Sequence, residues 1–72
     1  MIIHVFKTDI RSLVQVEELK PVFNALPHVI KWTVDTEDID NVLRIESFET
    51  LEENDILQLS RLFGFQCEPL QD

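Results

Sequence analysis

Four polar side chains stand close together near the start of the chain. They are Asp9, Arg11, Ser12 and Gln15, within the stretch Lys7-Thr8-Asp9-Ile10-Arg11-Ser12-Leu13-Val14-Gln15. A carboxylate, a guanidinium and a hydroxyl at such spacing are the raw material of acid–base or nucleophilic chemistry. No histidine stands beside Ser12 in sequence to activate it, and Ser12 has a simpler role as a helix cap. The stretch holds no glycine, so it lacks the flexible cradle of backbone N–H groups that wraps a phosphate. Catalysis is not expected here. Arg11 beside a helix N-terminus is expected at most to attract a small anion.

Metal chemistry would need His, Cys or carboxylate side chains brought together. Cys67 is the one cysteine. It is expected on the last strand, away from the first loop, as a small apolar filler. His4 falls between Ile2 and Phe6 on the first strand, and His28 follows Pro27 in a turn. Their spacing does not bring His4, His28 and Cys67 to ligand geometry. Cys67 and His4 are the residues an alternative, non-standard metal site would use. Asp35, Glu37, Asp38 and Asp40 superficially resemble a calcium loop. That pattern needs an oxygen ligand at position five and glycine at six, where this chain has Ile39 and Asp40. The run reads as a solvated acidic turn.

The whole chain narrows the function classes further. Its 72 residues make one domain, 1–72, that carries 14 acidic against 6 basic residues and a formal charge of −8. That field repels phosphate backbones and anionic membranes, so neither nucleic acid nor a membrane surface is an expected partner. RNA recognition on a sheet would also need exposed aromatic residues on the central strands, and the third strand offers Leu43, Arg44, Ile45 and Glu46 instead. A chain this short buries roughly 60% of its unfolded surface. With 44% hydrophobic residues, five Phe and one Trp among them, it still has the material for a core. A lone cysteine forms no internal disulfide, which fits a cytoplasmic protein. No apolar run is long enough to span a bilayer. The opening Met1-Ile2-Ile3-His4-Val5-Phe6 lacks the basic segment and cleavage site of a secretory signal.

The elements that must position these residues follow from periodicity. Ile2 to Phe6 reads as a strand. Ser12, with Gln15 three residues on, has the spacing of a capping box. Val16, Leu19, Phe23 and Leu26 then form one helical face, and Glu17, Glu18 and Lys20 fall outside it. Pro21 should kink or break this helix, and Pro27 should stop it at Leu26. Ile30, Trp32 and Val34 alternate with Lys31, Thr33 and Asp35, the period of a half-buried strand. Trp32 is thus expected in the core. After the turn Asp35 to Asn41, Leu43 and Ile45 mark a third strand. Thr50 is expected to begin a second helix, with Glu53 completing its capping box. Ile56, Leu59 and Phe63 should form its buried stripe, with Leu62 beside it. Gly64 should end it, followed by a last strand over Phe65 to Glu68 with Pro69 at its end or edge.

This order predicts an α+β, ferredoxin-like βαββαβ sandwich. A four-stranded antiparallel sheet in the order 4-1-3-2 carries two helices on one face. The phrases Phe6-Lys7-Thr8-Asp9-Ile10, Trp32-Thr33-Val34-Asp35-Thr36, Val42-Leu43-Arg44-Ile45 and Leu62-Phe63-Gly64-Phe65-Gln66-Cys67-Glu68 resemble the heavy-metal-associated, copper-chaperone-like domains over nearly the entire chain. That resemblance implies a Met-x-Cys-x-x-Cys metal motif in the loop before the first helix. The family's methionine falls at Ile10 and its two cysteines at Ser12 and Gln15, so all three differ. Soft cations want thiolates, and a hydroxyl and an amide are poor replacements.

The expectation is therefore a non-enzymatic binding domain that resembles a heavy-metal-associated domain with its metal site lost, and that uses no cofactor. Its candidate interaction loop is Asp9, Ile10, Arg11 and Ser12 with Gln15. Its partner is an unknown protein, or a second copy joined through an edge strand. The alternatives are a metal-transport accessory protein with non-standard ligands and a small acylphosphatase-like enzyme.

Overall fold

A computed structural model describes residues 1–70. The elements run β1 (Ile2–Thr8), α1 (Leu13–Asn24), β2 (Val29–Asp35), β3 (Val42–Ser47), α2 (Glu53–Phe63) and β4 (Cys67–Pro69). The strands form one four-stranded sheet in the order β2-β3-β1-β4, with every pairing antiparallel. This is the expected order, and β2 and β4 are its edges. The two helices pack on one face, which makes a ferredoxin-like two-layer α+β fold.

Register explains the layering. His4 pairs with Ile45 and Ile45 with Trp32, while Phe6 pairs with Leu43 and Leu43 with Val34. Directly paired residues share a face, so these rows all point toward the helices. Phe6, Ile10, Leu19, Phe23, Leu43, Ile45, Leu51 and Ile56 form the buried core. Burying a side chain such as Phe6 or Phe23 contributes about 2 kcal/mol. Trp32 packs on Phe23 with ring centroids 4.9 Å apart. Its indole N–H donates to Asn24 Oδ1 at 3.0 Å. The other face of the sheet carries Lys7, Lys31, Thr33, Arg44 and Glu68, all exposed.

Several local expectations need correction. Of the two outcomes expected at Pro21, a kink or a break, α1 does not break: it runs through the proline, and it ends at Asn24 rather than at Leu26. Pro21 is exposed, so the Glu17 carbonyl it leaves without an amide partner stands on the side open to water. The Leu26 N–H turns back to the Phe23 carbonyl at 3.1 Å, and this tight four-residue turn closes the helix ahead of Pro27.

The alternation in β2 breaks at Ile30. Val29 pairs with Ser47 and Lys31 with Glu46, leaving Ile30 as a bulge. The extra residue shifts the pleat, so Val29 packs against the core while Ile30 is exposed. α2 starts later than Thr50, because Glu52 is its N-cap and Asp55 Oδ2 accepts from the Glu52 N–H at 3.0 Å. Thr50 instead shares a hydrogen bond of 2.7 Å with His28 Nδ1. In α2, Ile56 and Ser60 are buried, but Leu62 and Phe63 are 77% and 49% exposed. The stripe turns outward as the helix reaches its end. Gly64 closes α2 at φ +81°, the left-handed conformation expected of it. β4 begins at Cys67, two residues later than expected, and Pro69 is its last residue on the sheet edge.

Candidate functional site

The β1–α1 loop is built by three attachments. At the end of β1, Thr8 is buried, and its Oγ1 accepts from the Ile10 N–H at 3.2 Å while donating to the Asn41 carbonyl. The Thr8 N–H donates to the Asp40 carbonyl at 3.0 Å. The turn between β2 and β3 therefore clasps the start of the loop. Asp9 Oδ1 accepts from the Gln66 N–H at 2.9 Å, which ties the loop to the approach of β4. Ile10 is 0% exposed and drops into the core as an anchor. Ile10 thus presents no contact surface, and Asp9 has its carboxylate engaged. The exposed part of the loop is Arg11 and Ser12, continued by Leu13 and Val14 at 73% and 67% exposure.

The helix start is a reciprocal capping box, as the Ser12 and Gln15 spacing predicts. The Gln15 N–H donates to Ser12 Oγ at 3.3 Å. Gln15 Oε1 accepts from the Arg11 N–H at 2.8 Å and from the Ser12 N–H at 3.2 Å. Two of the donors that a helix start leaves orphaned, the Ser12 and Gln15 amides, are thereby satisfied, and the Arg11 amide of the preceding loop is held with them. Both oxygens that stand at the spacing of a metal motif are held by backbone amides. They are neutral and hard, so the pair does not fit a soft monovalent cation.

A shallow cleft of about 270 Å³ opens beside this helix start. Ile10, Leu19, Phe63 and Phe65 give it apolar walls, and Gln15 and Glu18 give it a polar rim. It separates the first turns of α1 from the end of α2.

The other chemistry-bearing residues are placed as follows. Cys67 is not remote from the first loop, because the β1–β4 register sets it opposite Thr8. It is half-buried, and its thiol is pushed up to about 12, first by burial and then by the Glu53 and Glu68 carboxylates. A thiol so protonated at neutral pH is a poor ligand and a poor nucleophile. His4 Nε2 donates to the Leu51 carbonyl at 3.2 Å, and its ring stacks on Phe6 with centroids 6.2 Å apart. Thr8 lies four positions along the strand from His4, about 13 Å at strand rise, so His4 and Cys67 do not share a site. Among the described residues, no group of three or more His, Cys, Asp and Glu side chains is arranged to hold a metal ion.

In the acidic turn the carboxylates bind their own backbone. Asp35 Oδ1 accepts from the Glu37 and Asp38 N–H groups, and Asp38 Oδ1 from that of Asp40. These are Asx turns, and they shape the segment that grips Thr8. Among the described residues, no helix is long and apolar enough to cross a membrane.

Sequence reasoning missed Leu13 and Val14 as surface residues. The signal was present: both lie off the Val16, Leu19 and Phe23 stripe, so a helix starting at Leu13 must turn them outward.

The fold and the loop together define a small ferredoxin-like α+β domain with a capped, cysteine-free β1–α1 junction. No protein-family model matches the chain, and no curated protein matches it significantly. Among solved structures it is similar to the CsoZ metallochaperone, with a TM-score of 0.73 over 93% of this chain and 99% of that one. Sequence identity is 18%, so the likeness is one of fold.

Proposed function

We propose that this chain is a non-enzymatic interaction domain that shares a metallochaperone-like fold without using the β1–α1 loop to carry a cation. The observation that supports this reading is the double engagement of Gln15 Oε1 by the Arg11 and Ser12 amides. A cation at that junction would have to displace hydrogen bonds that hold the helix start, and it would gain only a neutral amide and a hydroxyl in return. Cys67 offers no ready substitute, because among the described residues no group of three or more His, Cys, Asp and Glu side chains is arranged to hold a metal ion. What the loop presents to a partner is Arg11 and Ser12 beside exposed Leu13 and Val14, a small apolar patch with one positive charge on an acidic domain. Such a surface suits a partner segment that pairs an acidic group with apolar side chains.

Titration with monovalent copper and with zinc under reducing conditions, in competition with a chromophoric chelator, tests the reading. The expected result is no stoichiometric uptake. One equivalent bound, and lost in Cys67→Ala or His4→Ala, would replace it with the accessory metal-binding reading.

A further inference from the structure

The two edges of the sheet are unlike. β4 is three residues long and ends in Pro69, which has no amide N–H to offer an added strand. β2 is seven residues long, and its neighbour in the sheet is β3. Among the described residues, no loop backbone is bonded to residues 31–35 from the outer side. Its outward N–H and C=O groups are therefore a template for another strand.

We propose that this edge is a homodimer interface in which two copies pair their β2 strands antiparallel about a two-fold axis at Thr33. The bulge at Ile30 limits the regular stretch to Lys31–Asp35, and Thr33 is its centre. In this register Lys31 of each copy lies opposite Asp35 of the other, Trp32 opposite Val34, and Thr33 opposite its own counterpart. Lys31, Thr33 and Asp35 are exposed on the open face, while Trp32 and Val34 pack toward the helices. The pairing thus matches each face with its equivalent and continues the sheet across both copies.

Charge selects this alignment. A slip of two residues sets Lys31 or Asp35 against Thr33 and loses both ion pairs. A slip of four sets Lys31 against Lys31 or Asp35 against Asp35, and like charges directly opposite are unfavourable. Lysine and a bulge on an edge ordinarily discourage strand addition. Here they leave one favourable register and penalise the others. The molecule carries a formal charge of −8, so any contact between copies needs a locally balanced surface. β2 is one, because its charged residues are Lys31 and Asp35 alone. β3 separates β2 from β1 in the sheet, so this surface is distinct from the β1–α1 loop and stands whether or not that loop binds a partner.

Sedimentation equilibrium over a concentration series tests the interface. The wild-type chain is expected to move from monomer to dimer mass as concentration rises. Lys31→Asp and Asp35→Lys should each weaken association by roughly tenfold or more, because both facing pairs turn repulsive. The double variant K31D/D35K should recover wild-type association, since the swap restores both pairs. In a Cys67→Ser background, Thr33→Cys should cross-link two copies on mild oxidation, and Lys31→Cys should not. Far-ultraviolet circular dichroism confirms that each variant is folded. A wild-type chain that stays monomeric to millimolar concentration, a dimer indifferent to the single swaps, or a double variant as weak as the singles would each overturn the proposal.

Discussion

The backbone N–H of Gln66 donates to Oδ1 of Asp9 at 2.9 Å, joining residues 57 positions apart. This bond and the Thr8–Cys67 pairing bring the last strand to the mouth of the first loop. The conformation of the β1–α1 loop thus depends on the C-terminal strand being docked. Asp9→Ala should destabilise the fold by about 1–2 kcal/mol, since the bond involves a charged acceptor. Urea denaturation gives the free energy. Amide exchange should show Gln66 and the loop losing protection first. Unchanged exchange at Gln66 would show that the bond does not hold the loop.

The capping box sets a second expectation. Ser12→Ala or Gln15→Ala should each cost about 1 kcal/mol of stability, read as a lower urea midpoint with an unchanged slope. The paired change Ser12→Cys with Gln15→Cys replaces both oxygens by thiols at a helix N-terminus, where thiolates are favoured. The double variant should take up about one equivalent of monovalent copper, and the wild-type chain in the same titration should take up none.

Cys67 titrates far above an ordinary thiol, from 9.0 to about 12. The folded state therefore holds the proton more tightly than the unfolded state, and stability from this group is complete below pH 9.0. It is lost as pH rises toward about 12. The thermal midpoint of the wild-type chain should fall across that window more steeply than that of Cys67→Ala. Alkylation by iodoacetamide at pH 8.5 should be slow in the folded chain and fast in urea. Glu53→Gln removes one of the carboxylates that raise the value, so it should speed alkylation of the folded form.

Gly64 adopts φ +81°, and a Cβ built there would meet nothing within 4 Å. Gly64→Ala should therefore lower stability through backbone conformation alone, by about 1 kcal/mol. Gly64→Asn should cost less, because asparagine tolerates the left-handed region better. Equal losses for both variants would point to a cause other than the dihedral.

The local rules reached some of these residues and not others. Ser12 and Gln15 were legible as a capping box because both partners lie within one helical turn. Gly64 was legible because a sole glycine after an apolar helical run has few other uses. Phe63 misled, since period alone cannot say where a stripe runs out of core to pack against. Ile30 misled for a related reason. Its alternation with Trp32 and Val34 is regular in sequence, and the bulge appears only because Ser47 on β3 takes Val29 as its partner.

In the candidate loop, Arg11 and Ser12 could be placed at the surface from their polarity and position. Ile10 could not be identified as an anchor, because one apolar residue between two polar ones has no period to read.

The order of strands and helices, the two-layer class and the first helix start were all settled by the sequence alone. Those features arise from side-chain periodicity and from hydrogen bonds between residues a few positions apart. Tertiary structure decided that Cys67 faces Thr8, that the β2–β3 turn grips the end of β1, and that Asp9 spends its carboxylate on Gln66. These contacts join distant segments, and they form where the docked sheet leaves a backbone donor facing an acceptor.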